Sequence, residues 1–283
     1  MKGRRSGIVL TAVGAVLAIV ATIWMTAIFP GMLKLPEDLD ETVHYVGTFK
    51  KLDSNTFQMN ESPISITRHE KAAGLRDGIL LIDEDIRIVN SDTGEEIERV
   101  KKRFAVDRVT CENVSECPDA DKIREGLWNP SPGIKEGETI LMWKAEANRA
   151  LEGKCLGSEE IHGLRVLVCE AEYKGVPLGP DPNTGFELEL DTYNVLKFEP
   201  RTGIIVYLKM VDSVSAILPV GKITALVSEV EFPEDTIDEM VDKAKDARST
   251  IYWFGTYVPW IIIGIGIILF GFGIRALVRR VAS

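Results

Sequence analysis

Followed from end to end, the apolar and polar positions of the chain change their pattern twice. Gly7 to Phe29 is apolar and uncharged, Pro30 to about residue 233 alternates, and the uncharged stretch from Ser249 to Ile274 is apolar again. An uncharged apolar run of about 20 residues can cross the hydrocarbon core of a bilayer as a helix, so both terminal runs are predicted transmembrane helices. Lys2, Arg4 and Arg5 precede the first; Arg275, Arg279 and Arg280 follow the second. Lys and Arg beside a span mark its cytoplasmic side. The expected topology is two-pass in the plasma membrane, with both termini cytoplasmic and the main domain extracellular. The first run is longer than the apolar core of a cleaved signal peptide, about 7–15 residues, and it reaches Pro30-Gly31 without a clear small-x-small site, which favours a retained anchor.

Between the spans, strands are predicted over Thr42–Phe49, Ile64–Glu70, Gly78–Val89, Phe104–Thr110, Ile140–Ala147, Leu164–Tyr173, Phe186–Glu199, Ile204–Val214 and Lys222–Phe232. They are rich in Val, Ile, Tyr and Phe, which suit a pleated, half-buried surface. Asp92-Thr-Gly94, Pro130-Ser-Pro-Gly133, Gly179-Pro-Asp-Pro-Asn-Thr-Gly185 and Pro200-Arg-Thr-Gly203 supply turn chemistry between them. Such close spacing leaves no room for helical crossovers, so the sheet should be antiparallel. The expected class is mainly β, a sandwich or a strongly curved, barrel-like sheet, with two transmembrane helices and one juxtamembrane helix.

From Glu234 to Tyr252 the apolar period lengthens. Ile237, Met240, Val241, Ala244, Ala247 and Ile251 recur at three- and four-residue spacing and make one stripe, of which Ile237, Met240, Val241 and Ala244 are predicted to bury against the sheet. Acids in the first turns and Lys243, Lys245 and Arg248 in the later ones suit the helix dipole. A nearly continuous helix to about Val278 is expected, bent near Pro259, whose ring removes the bond to the Gly255 carbonyl. Tyr252, Trp253, Tyr257 and Trp260 cluster as an interfacial aromatic belt would. Gly14-x-x-x-Ala18 on the first span, and Gly264, Gly266, Gly271 and Gly273 on the second, would allow close approach, expected within the chain. The oligomeric state stays open. The predicted segments are tail 1–6, span 7–29, β-rich domain 30–233, juxtamembrane helix 234–252, span 253–274 and tail 275–283.

Charge narrows the partners. Setting aside the six terminal basic residues leaves 27 of the 33 Lys and Arg against 43 Asp and Glu, a net charge of −16. A surface of that sign does not suit nucleic acid. It would also stand off an anionic lipid surface.

Cys111, Cys117, Cys155 and Cys169 all fall in the region placed outside, where disulfides persist. Of the three pairings that four cysteines allow, the local one, 111–117 with 155–169, is expected. Each short loop closed would stabilise by about 2–3 kcal/mol. A metal site is disfavoured, since there is no CxxC element and the histidines are only His44, His69 and His162. Asn113-Val-Ser115 and Asn60-Glu-Ser62 match the N-glycosylation pattern, the second weakened by Pro63.

Catalytic signatures are not found: no phosphate-cradling loop, no HExxH and no GxSxG. His44 and His69 fall in predicted strands and His162 in a turn, where polar surface histidines are ordinary. In Asp83-Glu-Asp85 the alternation puts both aspartates on one face and Glu84 with Ile82 and Ile86 on the other, which reads as a solvated outer face. The Gly179–Gly185 loop lacks the ligand spacing of a calcium loop and reads as a long hairpin turn. No enzyme, cofactor or metal is therefore expected.

Several short signals recur in order: Pro30 and Leu33-Lys-Leu-Pro36 after the first span, Phe104-x-Val106-Asp107-Arg108-x-Thr110, Gly163-Leu164-x-Val166, Glu199-Pro-Arg-Thr-Gly203, then the acidic amphipathic helix and a glycine-rich second span. This arrangement resembles the porin PorA family of bacterial and archaeal membrane proteins, across nearly the whole chain. The resemblance implies two spans around a β-rich domain of unknown function. The family's name is not a mechanism, because a strand-built pore needs a lipid-facing apolar band and these strands carry many charges. A more distant architectural likeness is to class B scavenger receptors, whose β-rich domain between two spans carries lipids through a tunnel. The expected role is a non-enzymatic membrane-anchored protein that touches membrane lipids and binds an apolar, lipid-like ligand or an envelope partner. A structural scaffold without a ligand cavity, and a pore, are the alternatives.

Overall fold

Ten strands follow one another through the central region: β1 (Asp40–Leu52), β2 (Met59–Arg76), β3 (Ile79–Asn90), β4 (Glu96–Asp107), β5 (Thr139–Lys144), β6 (Arg149–Ile161), β7 (Leu164–Pro180), β8 (Glu187–Phe198), β9 (Ile205–Leu218) and β10 (Gly221–Glu231). The computed structural model describes residues 2–278 apart from Ser54, Glu116 and residues 121–123, with no side chain described for residues 2–5 and Met32. The basic residues Arg279 and Arg280 thus lie outside the described residues. Contacts divide the chain into a β domain, Leu35–Lys245, and a helical unit formed by the two terminal stretches.

The β domain is one antiparallel sheet in the order β4-β3-β2-β1-β10-β9-β8-β7-β6-β5, curled into a half-barrel. Sequential hairpins make two wings, and the pairing of β1 with β10 fuses them. Gly47 sits in that seam opposite Val230, where an added Cβ would collide with the Glu229 carbonyl oxygen. Register shifts place extra residues on β2, β4, β6, β7, β9 and β10, bulges that bend strands and increase twist.

Curling brings the two edges, β4 and β5, toward the connection between them, which stitches them at one end. Val106 bridges Asn113, Glu112 bridges Leu127, and Leu127 bridges Met142. The Val114 N–H donates to the Ala105 carbonyl at 2.9 Å, and the Leu127 N–H to the Leu141 carbonyl at 2.6 Å. Covering an edge in this way satisfies backbone groups that would otherwise template another strand.

Nine strands were expected and ten form. The strand missing from the sequence reading is β6, Arg-Ala-Leu-Glu-Gly-Lys-Cys-Leu-Gly-Ser-Glu-Glu-Ile, whose inward positions include Gly153 and Cys155. Small residues there leave little alternation to read. β4 begins at Glu96, eight residues before the expected Phe104, because its first half is a charged, exposed edge.

Helix α3 spans Glu234–Tyr252, as predicted. Ile237, Met240, Val241 and Ala244 are buried in one cluster with Val43, Tyr45, Ile64, Leu164, Val166, Val206, Val230 and Phe232. The predicted stripe therefore packs on both wings near their seam.

The helical unit contains α1 (Lys2–Ile23), the short α2 (Phe29–Met32) and α4 (Val258–Val278). Two apolar helices are long enough to cross a membrane, Ser6–Gly31 and Glu234–Val278. The second includes α3, so the helical backbone runs unbroken past Pro259. In place of the bonding that Pro259 removes, Trp253–Tyr257 forms a π-helical turn in which the Val258 N–H reaches back to Trp253. The N-terminal helix absorbs Pro30 in the same way: Trp24–Ile28 is π-helical, and the Phe29 N–H bonds to the Trp24 carbonyl. The Trp24 indole donates to the Phe254 carbonyl at 2.8 Å. Gly14 packs against the Gly266 backbone and Gly7 against Gly273, close enough that a Cβ at Gly14 would meet the Gly266 oxygen at 2.5 Å. Gly264 and Gly271 face open space.

Candidate functional site

The curled sheet holds a cavity of about 420 Å³ on its concave side, with every strand except β10 contributing to its wall. The volume falls in the range typical of small-molecule sites, roughly 300–1,000 Å³. Period-two alternation creates the lining. On β3, Ile86 and Ile88 face inward with Glu84; on β2, Ile66 and Arg68 do; β5 and β9 add Met142, Leu208 and Met210. One end is closed by packed Leu80, Ile82, Phe104, Val106 and Trp128.

Two buried polar networks interrupt this apolar wall. In the first, Arg68 Nε donates to Glu84 Oε1 at 2.9 Å and its Nη2 to Glu70 Oε1 at 2.6 Å. Arg124, from the edge-covering connection, donates to Glu84 Oε2 at 2.8 Å and lies 3.7 Å above the centre of the Phe104 ring. The Trp128 indole donates to Glu70 Oε1 at 2.9 Å. Burial pushes the Glu70 carboxyl above its ordinary range, against the pull of Arg68. It pushes at Glu84 too, but Arg68 and Arg124 outweigh it and hold that carboxyl low. Burial also lowers Arg124 and raises the Tyr45 phenol, which lines the cavity beside Arg68.

The second network lies across the cavity. Lys144 Nζ donates to Asp212 Oδ2 at 2.6 Å, Thr192 Oγ1 to Asp212 Oδ1 at 2.6 Å, and Asn194 Nδ2 to Thr192 Oγ1 at 3.1 Å. With its amide nitrogen committed, Asn194 keeps a buried Oδ1 without a partner. The same holds for Asn113, whose Nδ2 donates to the Gly126 carbonyl at 3.0 Å. Both asparagines line the cavity.

The residues singled out from sequence are dispersed. Cys155 and Cys169 are paired across β6 and β7 and joined by a disulfide, with Cys169 in the cavity wall. Cys111 and Cys117 are free thiols, so the expected 111–117 bridge is not formed. Cys111 occupies a tight turn at φ 61°, its N–H bonded to Asp107 and its side chain buried, whereas Cys117 is half-exposed. Burial, with Asp107 nearby, pushes the Cys111 thiol up to about 11. Asn113 is part of the edge-covering connection, and a glycan on Nδ2 would break its bond to Gly126; Asn60 is exposed on β2. Trp253, Tyr257 and Trp260 are more than half exposed around the second π-helical turn, and Tyr252 is half-buried.

His44 and His69 lie on strands and bond to Thr67 and Asp40; His162, at the β6–β7 turn, reaches Asp238 and Glu234 of α3. Asp83 and Asp85 face outward against Arg103 and Arg99. Sequence reasoning did not single out Arg68, Glu70, Arg124, Lys144, Asp212 or Asn194. For Arg68 and Glu70 a signal existed, since they share the parity of Ile64 and Ile66 in Ile-Ser-Ile-Thr-Arg-His-Glu.

Among known families, the one described as Porin PorA matches residues 6–275. No curated protein matches the chain.

Proposed function

The chain belongs to the Porin PorA family, and we propose that it is a non-enzymatic, two-span membrane protein whose β domain holds an apolar, lipid-like ligand. The observation that carries this reading is the cavity of about 420 Å³, whose wall combines Ile, Leu, Met and Trp side chains with eight charged residues and three asparagines. Such a combination supplies apolar burial for a chain and directional contacts for a head group. A scaffold would gain nothing from leaving this volume unfilled, because voids forfeit packing contacts. The outer faces of β3 and β4 carry Asp83, Asp85, Arg99 and Arg103, which does not suit the lipid-facing band of a strand-built pore. Terminal Lys2, Arg4, Arg5, Arg275, Arg279 and Arg280 favour cytoplasmic tails, with the β domain on the outer side of the plasma membrane.

Native mass spectrometry of the full chain after gentle extraction tests the reading. A retained lipid-sized mass, reduced when Met210→Trp narrows the cavity, is the expected result. Protein that is consistently unliganded, yet conducts ions in planar bilayers, would favour a pore instead.

A further inference from the structure

Resting on that ligand-binding reading, the charges around the cavity narrow the ligand's head group. Four cationic side chains line it: Arg68, Lys102, Arg124 and Lys144. Arg68 is held by Glu70 and Glu84, Arg124 by Glu84, and Lys144 by Asp212 and Glu146. Among the described residues, Lys102 has no such partner. The reason lies in the sheet register. Lys102 on β4 stands directly across from Glu84 on β3, but both Glu84 oxygens are already taken by the two guanidinium groups. Apart from Glu98 at its exposed end, this wall presents three cations to two carboxylates, Glu70 and Glu84, and the ammonium left unpaired belongs to a half-buried side chain beside apolar surface. Glu98, on the same face of β4, is exposed nearer the hairpin tip; Glu146 and Glu170 belong to the opposite wall.

A lysine on an edge strand ordinarily extends its ammonium into water. Its neighbour Lys101 is the contrasting case: exposed on the outer face and 3.6 Å from Asp85. Lys102 differs in facing inward, onto the cavity. Covering its ammonium with an uncharged ligand would strip water from a charge with no counter-ion, whereas an anionic head group would complete the pair. We propose that the cavity takes an amphipathic anion, with an acyl chain along the Ile, Leu and Met wall and a carboxylate or phosphate monoester against Lys102.

Displacement of an uncharged fluorescent alkyl probe from the full chain in phosphatidylcholine nanodiscs, with empty nanodiscs as reference, tests this. Palmitate, palmitoyl-lysophosphatidate and monopalmitoylglycerol share a chain and differ in the head. At least one anion is expected to displace the probe about tenfold more effectively than the neutral glyceride, as one charge-assisted contact would give. Which anion does so separates carboxylate from phosphate. Lys102→Met should abolish that gap, weakening the anion and tightening the glyceride as the cost of desolvating the ammonium disappears, while Lys102→Arg and the outer-face control Lys101→Met should keep it. Equal displacement by all three, or an unchanged gap in Lys102→Met, would overturn the head-group assignment and leave the cavity reading intact. Absence of protein-dependent probe binding would overturn the cavity reading itself.

Discussion

The two faces of β3 put the same functional group in opposite circumstances. Asp83 and Asp85 turn outward, where hydrogen bonds from Arg103 and Arg99 hold both carboxyls below their ordinary range. Glu84, between them, turns inward and is almost fully buried with two guanidinium groups of its own. Outside, water solvates each partner whether or not the pair forms, so the pair adds little. Inside, the partners have lost their water and depend on each other. Similar distances, 2.6–2.9 Å on both faces, thus describe interactions of very different consequence, and burial rather than geometry separates them.

The largest effect should come from breaking the inner arrangement. Among the described residues, Glu84→Ala would leave Arg124 without an ion-pair partner and Arg68 with Glu70 alone. Removing one member of a buried ion pair typically costs about 3–5 kcal/mol. A steep fall in the melting temperature of the full chain is the expected outcome; a change no larger than that of an outer-face variant would erase the distinction between the faces. Glu84→Gln sharpens it through pH. A carboxyl held low in the folded state contributes stability above its unfolded value, near 4.5, and loses it as pH falls through the folded value. Glu70, held high, acts in the opposite sense, its contribution present below its unfolded value and lost as pH rises through the folded one. The melting-temperature gap between wild type and Glu84→Gln should therefore narrow as pH drops below about 4.5.

Next in size is the contact that sequence made plainest. Met240 is 4% exposed within the α3 cluster. Met240→Asp would bury an unpaired charge and cost on the order of 2–4 kcal/mol. The β domain should melt earlier while membrane insertion is unchanged; an unaltered melting temperature would mean the stripe does not hold the helix to the sheet. This element was legible because its period and charge gradient agree over nineteen residues. The terminal apolar helices were legible for a similar reason, though the π-helical turns before Pro30 and Pro259 were not. A missing N–H foretells disruption, but whether the helix bends or widens depends on which groups can take up the freed carbonyls.

The cavity was harder to read. Alternation correctly placed Glu84 opposite Asp83 and Asp85, but a lone acid at core parity does not reveal its partner. Arg124 is 40 residues away in a connection with no period of its own, and Asp212 is 68 residues from Lys144. Such pairs exist only after the two wings curl together. The Cys111–Cys117 expectation failed for a related reason: short spacing makes a bridge feasible, but the turn at Asp107–Cys111 commits Cys111 to burial first.

An intermediate effect is expected from Cys155→Ala with Cys169→Ala. Loss of a bridge between residues 14 apart costs about 3 kcal/mol at most in the chain-entropy model, and less where paired strands already constrain the loop. A measured loss above that of Glu84→Ala would show that the disulfide, not the inner ion network, secures the cavity wall.

The smallest effect should be on the outer face. Asp83 is half-exposed, and its pair with Arg103 is screened by solvent on both sides. Asp83→Ala should shift stability by no more than about 1 kcal/mol, and added salt should erase most of that. The salt response is the sharper measurement, because Glu84 is shielded from counter-ions and its variants should keep their penalty at high ionic strength. If Asp83→Ala and Glu84→Ala instead converge as salt rises, then ions reach the inner face. The cavity would then be an open, hydrated groove, and an apolar ligand would have no dry wall to lie against.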